Sequence, residues 1–421
     1  MGNLKKYNIV TKNLLTKLFY TLLIIYVFRL GSYISVLGID LNSFKSAMKD
    51  NSLVGLYDMF SGGSFGNFTI FALGITPFIN ASIIIQLLVA GFDRLKDIQK
   101  SGEVGRKMLD RWTRYLAFVL SIVQSVGIVL GVMKPYLLKS DIFSISYVCT
   151  MLIVGSMICI FLADKISQCG VGNGTSILIF INIISRIPTD ISRIKQSLTL
   201  GLAKENEVII FVAVMVVVTI LIIYISEGIR KIPIMYTKAT SLRVQAKHED
   251  FLPLKIMQSG VMPIIFASVM MAMPQTIALF FGVKGQTFIQ TYFNSSTETG
   301  FWVYRVVEIL LIIMFSYFYN VISFNTEDIS KNLKTSGAFV PGVRLGKDTE
   351  RYLNEILIRL TLFGSLFLGF ISFIPSFMTH NMKLMIGGLG ATSILIVIGV
   401  ALEIRRNVIS QIVHKSYKSF F

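Results

Sequence analysis

A chain of 421 residues that is 53% hydrophobic and only 15% charged, with a positive mean hydropathy, cannot fold as water-soluble domains without exposing large apolar patches. Those numbers exclude a soluble enzyme and define a polytopic membrane protein, whose formal net charge of +17 must be carried on an aqueous face. Three cysteines and three histidines leave little material for thiol or metal chemistry.

Ten apolar runs approach the roughly 20 residues that a helix needs to cross about 30 Å of hydrocarbon. They lie at 14–37, 68–92, 114–133, 147–163, 174–187, 207–225, 261–281, 303–322, 353–374 and 384–403. The first is too long for a secretory h-region and has no small-residue cleavage site after it, so a retained N-terminus is expected.

The stretch between the first two spans, "NSLVGLYDMFSGGSFGN" at 51–67, is semi-apolar and too short to cross. Its Gly-Gly break suits a re-entrant piece. The second span, "FTIFALGITPFINASIIIQLLVAGF", carries Gly74 and Pro77 within it, followed by Asn80, Ser82 and Gln86. On a helical wheel Ile75, Ile79, Ser82 and Gln86 share one face, with Thr76, Asn80 and Ile83 beside it and an apolar face of Ile70, Ala81, Ile84 and Leu88 opposite. Amides in a membrane helix can simply bond to a neighbouring helix. Their coincidence with a glycine and a helix-interior proline favours a helix that bends or lines a cavity.

Cys149, Cys159 and Cys169 fall ten residues apart around the fourth span, about 15 Å per interval on a helix, too far for a disulfide. They are expected to be small apolar fillers. The fifth span, "TSILIFINIISRIP", is short and opens from a second glycine-rich entry, "CGVGNGTSILIF". His248, His380 and His414 are solitary, and no G-x-x-x-x-G-K-[ST] signature is present, so no metal, cofactor, catalytic residue or ATP hydrolysis of its own is expected.

Intramembrane ionisable residues mark ion pathways in small-solute transporters. Here Arg29, Arg305, Glu308 and Arg359 are the only candidates in or at the edge of spans, and structural roles suit all four: Arg305 and Glu308 are spaced to pair on one helix face. A path lined instead by Ile, Thr, Asn and Gln suits a conduit of low specificity. Orientation follows from the 40 Lys and Arg: a cytoplasmic N-terminus puts 27 of them on inside segments and 10 on outside segments, so both termini are expected inside.

Several blocks then become recognisable in order and spacing. "FSGGSFGNFTIFALGITPFINASIIIQLL", "GEVGRKMLDRWTRY", "GVGNGTSILIF", "FLPLKIMQSGVMPIIFAS", "KTSGAFVPGVRLGKDTERYLNEILIRLTLFGSLFLGFISFIP" and "ATSILIVIGVALE" closely resemble the SecY (Sec61-alpha) family of protein-conducting channels. The resemblance covers nearly the whole chain.

It implies an all-α membrane bundle of ten helices in two pseudo-symmetric five-helix halves, 1–195 and 196–421, with a re-entrant plug near 51–67. Motif by motif, it implies a pore ring of Ile75 and Ile79 from the second span, Thr175 and Ile179 from the fifth, Ile265 from the seventh and Ile396 from the tenth. Thr175 departs from the aliphatic residue usual there, and a hydroxyl in the ring would ease wetting. The plug core would be Tyr57, Asp58, Met59, Phe60, Ser61, Gly62 and Gly63. Spans two and seven would form a lateral gate through Gly74, Pro77, Asn80, Ser82, Gln86 and Gln275.

The resemblance also implies that the cytoplasmic loops at 226–260 and 323–352 dock the ribosome or the SecA ATPase through Arg230, Lys231, Arg243, Arg344 and Lys347. At Arg243 the family's usual Gly-Arg-Arg or Gly-Arg-Lys triplet is "SLR", one basic residue fewer. Implied partners are small SecE-like and SecG-like membrane subunits, signal peptides, nascent chains and membrane lipids. The implied function is to pass unfolded secretory chains across the membrane and release transmembrane segments sideways into lipid. Richness in Lys, Asn, Ile and Phe suits an AT-biased genome; a bacterial plasma membrane is expected, with a plastid thylakoid membrane as the alternative. A small-solute carrier would share the spans and charge bias but not the quoted blocks, and an accessory family member serving few substrates would share both.

Overall fold

The computed structural model describes residues 2–48, 61–139, 141–201, 204–236, 251–258, 260, 262–280, 291–292, 297–382 and 391–417. Each of the ten apolar segments coincides with a helix. In chain order these are α1 (Gly2–Gly31), α3 (Thr76–Gly91), α5 (Glu103–Ile128), α6 (Ile142–Cys169), α7 (Gly174–Thr199), α8 (Glu205–Glu227), α9 (Met262–Phe280), α10 (Glu298–Ser323), α12 (Lys347–Asn381) and α13 (Ala391–Tyr417). Shorter helices α2 (Leu41–Met48), α4 (Asp93–Lys100) and α11 (Thr326–Thr335) lie between them. Among the described residues six helices are long and apolar enough to span outright, and α3 with α4, bent by 104°, would make a seventh. In α7 and α13 charged residues shorten the apolar run, and α9 carries Pro274 within it.

Burial runs as in a bundle whose solvent is lipid. α8 leaves Ile209, Ile210, Val212, Val216, Val217 and Ile220 exposed and buries few residues, an arrangement that costs nothing where the surroundings are hydrocarbon. The main core gathers apolar side chains from α1, α3, α6, α7, α8, α9, α10, α12 and α13 into one cluster. α9 packs against α3, α5, α10 and α13, and α13 touches α1, α7, α8, α9 and α12.

The second span differs from the sequence expectation. Its helix starts only at Thr76, because Gly74 has φ +55 and Ile75 forms a non-helical N-cap, so residues 61–75 are turns. Pro77 therefore sits in the first turn, where its missing N–H costs no bond, and does not kink the helix interior. The fifth span is longer than its apolar run: α7 extends to Thr199 because Asn182, Arg186, Asp190 and Ser197 turn one polar face into the bundle and are buried there. Arg186 belongs to this face.

The segment 61–75 is held in place by an aromatic floor. Phe44 meets Phe65 at 6.3 Å, Phe68 at 6.1 Å and Tyr136 at 5.6 Å between ring centroids, all edge to face. The Val36 amide donates to the Phe68 carbonyl at 3.0 Å. On the other side Gly155 of α6 lets the helix touch this backbone: a Cβ there would stand 1.9 Å from the Ile70 carbonyl oxygen. Gly155→Val is expected to destabilise the protein by about 1 to 3 kcal/mol or more through overpacking. Thermal melting of the purified protein measures it, and an unchanged midpoint would deny the contact.

The connections after α8 and α10 contain strands that the sequence reading did not foresee. β1 (Ile229–Pro233) pairs antiparallel with β3 (Phe251–Lys255), and β2 (Met235–Tyr236) with β4 (Ala338–Phe339). Ile232, Leu254, Val340, Leu353 and Leu357 form a small core beneath them. The two loops are thus one folded unit seated on α12.

Candidate functional site

The five aliphatic residues expected in the ring are all buried. Ile75 at the α3 N-cap, Ile79 one turn on, Ile179 of α7, Ile265 of α9 and Ile396 of α13 are each at most 3% exposed and belong to one buried cluster. Thr175 is half-buried in the first turn of α7, where the Asn173 carboxamide oxygen accepts a hydrogen bond from its amide at 3.1 Å. Asn173 caps the helix, and Gly174 next to it allows close approach: a Cβ at 174 would lie 1.9 Å from the Ala163 carbonyl. A narrow waist of aliphatic side chains is a poor place for a water column, because no group in it replaces an ion's hydration shell.

Of the expected plug core, Tyr57, Asp58, Met59 and Phe60 lie outside the described residues. Ser61, Gly62 and Gly63 are described, and Gly62 rests on α7. Gly62 has φ +65 and touches Asn182 so closely that a Cβ would fall 2.7 Å from Asn182 Oδ1, while the Ser185 hydroxyl donates to the Gly62 carbonyl at 3.3 Å. The α7 polar face is therefore what the glycine break docks on. The sequence reading missed Asn182, Ser185, Arg186 and Asp190, and their i, i+4 spacing on one helix was the available signal.

On the gate face Asn80 is buried, whereas Ser82 and Gln86 are half-buried and bond to each other, Gln86 Nε2 donating to Ser82 Oγ at 3.1 Å. Gln275 occupies α9 one residue after Pro274. Two further polar residues, Gln124 of α5 and Ser268 of α9, were not anticipated. Asn80, Gln124 and Ser268 each bury an oxygen without a hydrogen-bond partner on three helices that pack together. An unsatisfied buried polar atom costs about 1 to 3 kcal/mol, and parting the helices would give these atoms water.

The unit of β1–β4 on α12 presents its basic residues outward. Arg230 and Lys231 are exposed on β1, with the Lys231 ammonium 4.8 Å from the Phe251 ring centre. Arg344 is exposed in the turn between Gly342 (φ +79) and Gly346 (φ +98), and its carbonyl accepts from the Thr349 hydroxyl at 2.7 Å. Lys347 follows, exposed, as the first residue of α12. Arg243 lies outside the described residues. Burial, and next the positive Arg406, hold the Lys255 ammonium of β3 below its ordinary pKa. Hydrogen bonding and charge from Lys331 hold Glu327 of α11 below the usual carboxylate range, with smaller contributions from Lys100 and Lys96 of α4.

Arg305 and Glu308 pair on α10 as their spacing implied, and Ser372 of α12 donates to Glu308 at 3.4 Å. Phe301 stacks on His380 with centroids 4.3 Å apart. This group pins α10 to α12. Cys149 and Cys159 are buried free thiols, and Cys169, contrary to the filler reading, is exposed at the end of α6.

A bundle of membrane helices that closes around one aliphatic cluster, with a glycine-rich segment docked on a polar face nearby and a folded basic unit at one end, has the architecture of a gated membrane channel. Comparison with known proteins makes this specific. The family model named SecY matches residues 69–405. The protein translocase subunit SecY of Synechocystis is 37% identical over 412 residues, covering 96% of this chain and 93% of that one. A solved structure described by the plug domain of SecY, which stabilises the closed state of that translocation channel, has a TM-score of 0.70 at 20% identity, covering 96% of this chain and 93% of the other. Sec61 from a canine ribosome–channel complex has a TM-score of 0.68 at 19% identity, with the same coverage. The chain belongs to the SecY family.

Proposed function

We propose that this chain is the central pore-forming subunit of a protein translocase, a passive channel that passes unfolded secretory chains and releases transmembrane segments sideways. The observation that supports this reading is that Ile75, Ile79, Ile179, Ile265 and Ile396, from four spans, are buried within the same apolar cluster. Such side chains exclude hydrated ions at rest, yet they are pliable and make no directional bonds, so they yield to chains of any sequence. Thr175 borders the ring and eases its wetting. The plug, residues 51–67, closes the outer funnel and swings on the Gly62–Gly63 break. The chain works as two halves, 1–195 and 196–421, that join in the last turn of α7, with spans two and seven as the gate between them. The test is reconstitution with SecE-like and SecG-like subunits and a SecA-type ATPase: a signal-bearing precursor is expected to become protease-protected in an ATP-dependent manner, and protection equal to that of empty vesicles would refute the reading.

Both termini and the loops at 226–260 and 323–352 face the cytoplasm of a bacterial cell, as the Lys and Arg bias supports. In a background lacking Cys149, Cys159 and Cys169, an impermeant thiol reagent added outside intact cells is expected to label Gln290→Cys and not Arg344→Cys. The reverse pattern would invert the topology.

Arg344 couples the channel to its motor or to the ribosome, and Arg230, Lys231, Arg243 and Lys347 enlarge the basic docking face. Removing one partner of a docked charge pair costs about 2 to 5 kcal/mol, so Arg344→Glu is expected to slow motor-driven export by more than about tenfold while the channel still inserts and assembles. Unaltered export by this variant would reduce Arg344 to a topology charge.

A further inference from the structure

The cytoplasmic half of α13 makes contacts that neither the ring nor the docking loops require. The Arg405 guanidinium donates to the Glu227 carboxylate at the end of α8, and Arg406 Nη2 donates to the Ser226 carbonyl at 2.6 Å. Ser226 in turn lies 3.5 Å from the Met257 sulfur, just beyond β3. Glu227 and Gly228 lead directly into β1, and the Ile256 amide after β3 donates to the Gly228 carbonyl at 3.0 Å. Both edges of the β1–β3 hairpin are thus rooted where α13 grips α8.

The same stretch of α13 also reaches the other half of the bundle. Lys17 Nζ of α1 donates to Gln411 at 3.5 Å, and the glycine-rich entry to α7 meets it, with Asn407 and Ile404 at 3.5 and 3.9 Å from a Cβ built at Gly172. Ile396 stands on this same uninterrupted helix, Ala391–Tyr417, nine residues before Arg405 and so about 14 Å along the axis. A hydrogen-bonded helix shifts as a unit over that distance, because bending it sharply needs a proline, a glycine pair or a bulge, and none lies between Ile396 and Arg405 apart from the single Gly399.

We propose that Arg405 and Arg406 are positioning residues that make α13 a rod, converting displacement of the β1–β3 hairpin by a docked partner into movement of Ile396 in the ring. The inference rests on the channel reading above and names how its docking face reaches its waist. Arg405 and Glu227 are both partly exposed, 58% and 43% at the side chain. An exposed pair contributes modestly, so each charge reversal should reduce motor-driven export by about two- to fivefold.

The test uses the full channel with its small subunits in vesicles. Glu227→Arg and Arg405→Glu are expected to lower the export rate singly and to restore it when combined, with motor affinity for the vesicles unchanged throughout. Ala401→Gly with Leu402→Gly, which softens the rod and leaves both its ends intact, should lower export in the same way without altering motor affinity. Parallel loss of motor affinity would make these residues part of the docking face and overturn the rod. Failure of the double reversal to recover, or full export by the softened helix, would overturn it as well. Arg344→Glu runs alongside as the reference: if it too exports normally, the docking reading fails; if it alone stops export, only the rod does.

Discussion

Vesicles carrying the channel with Ile75→Gly and Ile79→Gly are expected to conduct ions at rest. Both isoleucines are buried in the central cluster, at the N-cap and first turn of α3. Replacing them removes the second span's share of the proposed aliphatic waist and leaves space that water can enter. Each 1.4 kcal/mol taken from the barrier raises passage about tenfold, so resting conductance should rise by an order of magnitude or more. Deleting residues 57–65 removes the proposed plug together with its Gly62 seat on Asn182 and Ser185. This deletion should raise conductance further, and the combined variant should leak most. Planar-bilayer recording reads the effect directly. Resting currents in the double glycine variant that match the unaltered channel would remove the ring from the account.

The second large effect is expected at the gate. Spans α3 and α9 pack on one another, and Asn80, Gln124 and Ser268 are buried polar residues on α3, α5 and α9. If transit requires these helices to part, a covalent bond between them must stop it. A disulfide joining Ser82→Cys to Gln275→Cys, or neighbouring pairs along the same two helices, is expected to reduce export in proportion to the crosslinked fraction, and reductant should restore it. Full export through an efficiently crosslinked pair would leave α3 as a packing helix with a polar face.

Much of this architecture is legible in the amino-acid sequence. Apolar run length locates every span, and the spacing of Ile75 and Ile79 puts them on one face, although Ile75 caps the helix and does not sit within it. The departures have local causes. Pro77 reads as a kink because the run of apolar residues hides the turns at 61–75, where Gly62, Gly63 and Gly74 all take positive φ. The fifth span reads as short because Arg186 and Asp190 end its apolar run, yet both are buried on the bundle side of α7. Strands β1–β4 escape notice because two- and five-residue segments such as "MY" and "FLPLK" carry no resolvable period and pair with partners distant in sequence. The α13 contacts with Ser226 and Glu227 link residues about 180 apart, which no local pattern encodes.

The central claim is that a polypeptide passes through the waist formed by these isoleucines. It is tested most directly by stalling a secretory precursor in transit, with a cysteine placed in its spanning segment, in channels carrying a single cysteine at chosen positions. Ile79→Cys, Ile179→Cys and Ile396→Cys are expected to form disulfides with the stalled chain, and lipid-facing Ile220→Cys is expected to form none. Crosslinks at Ile220→Cys with none at the three ring positions would contradict the account.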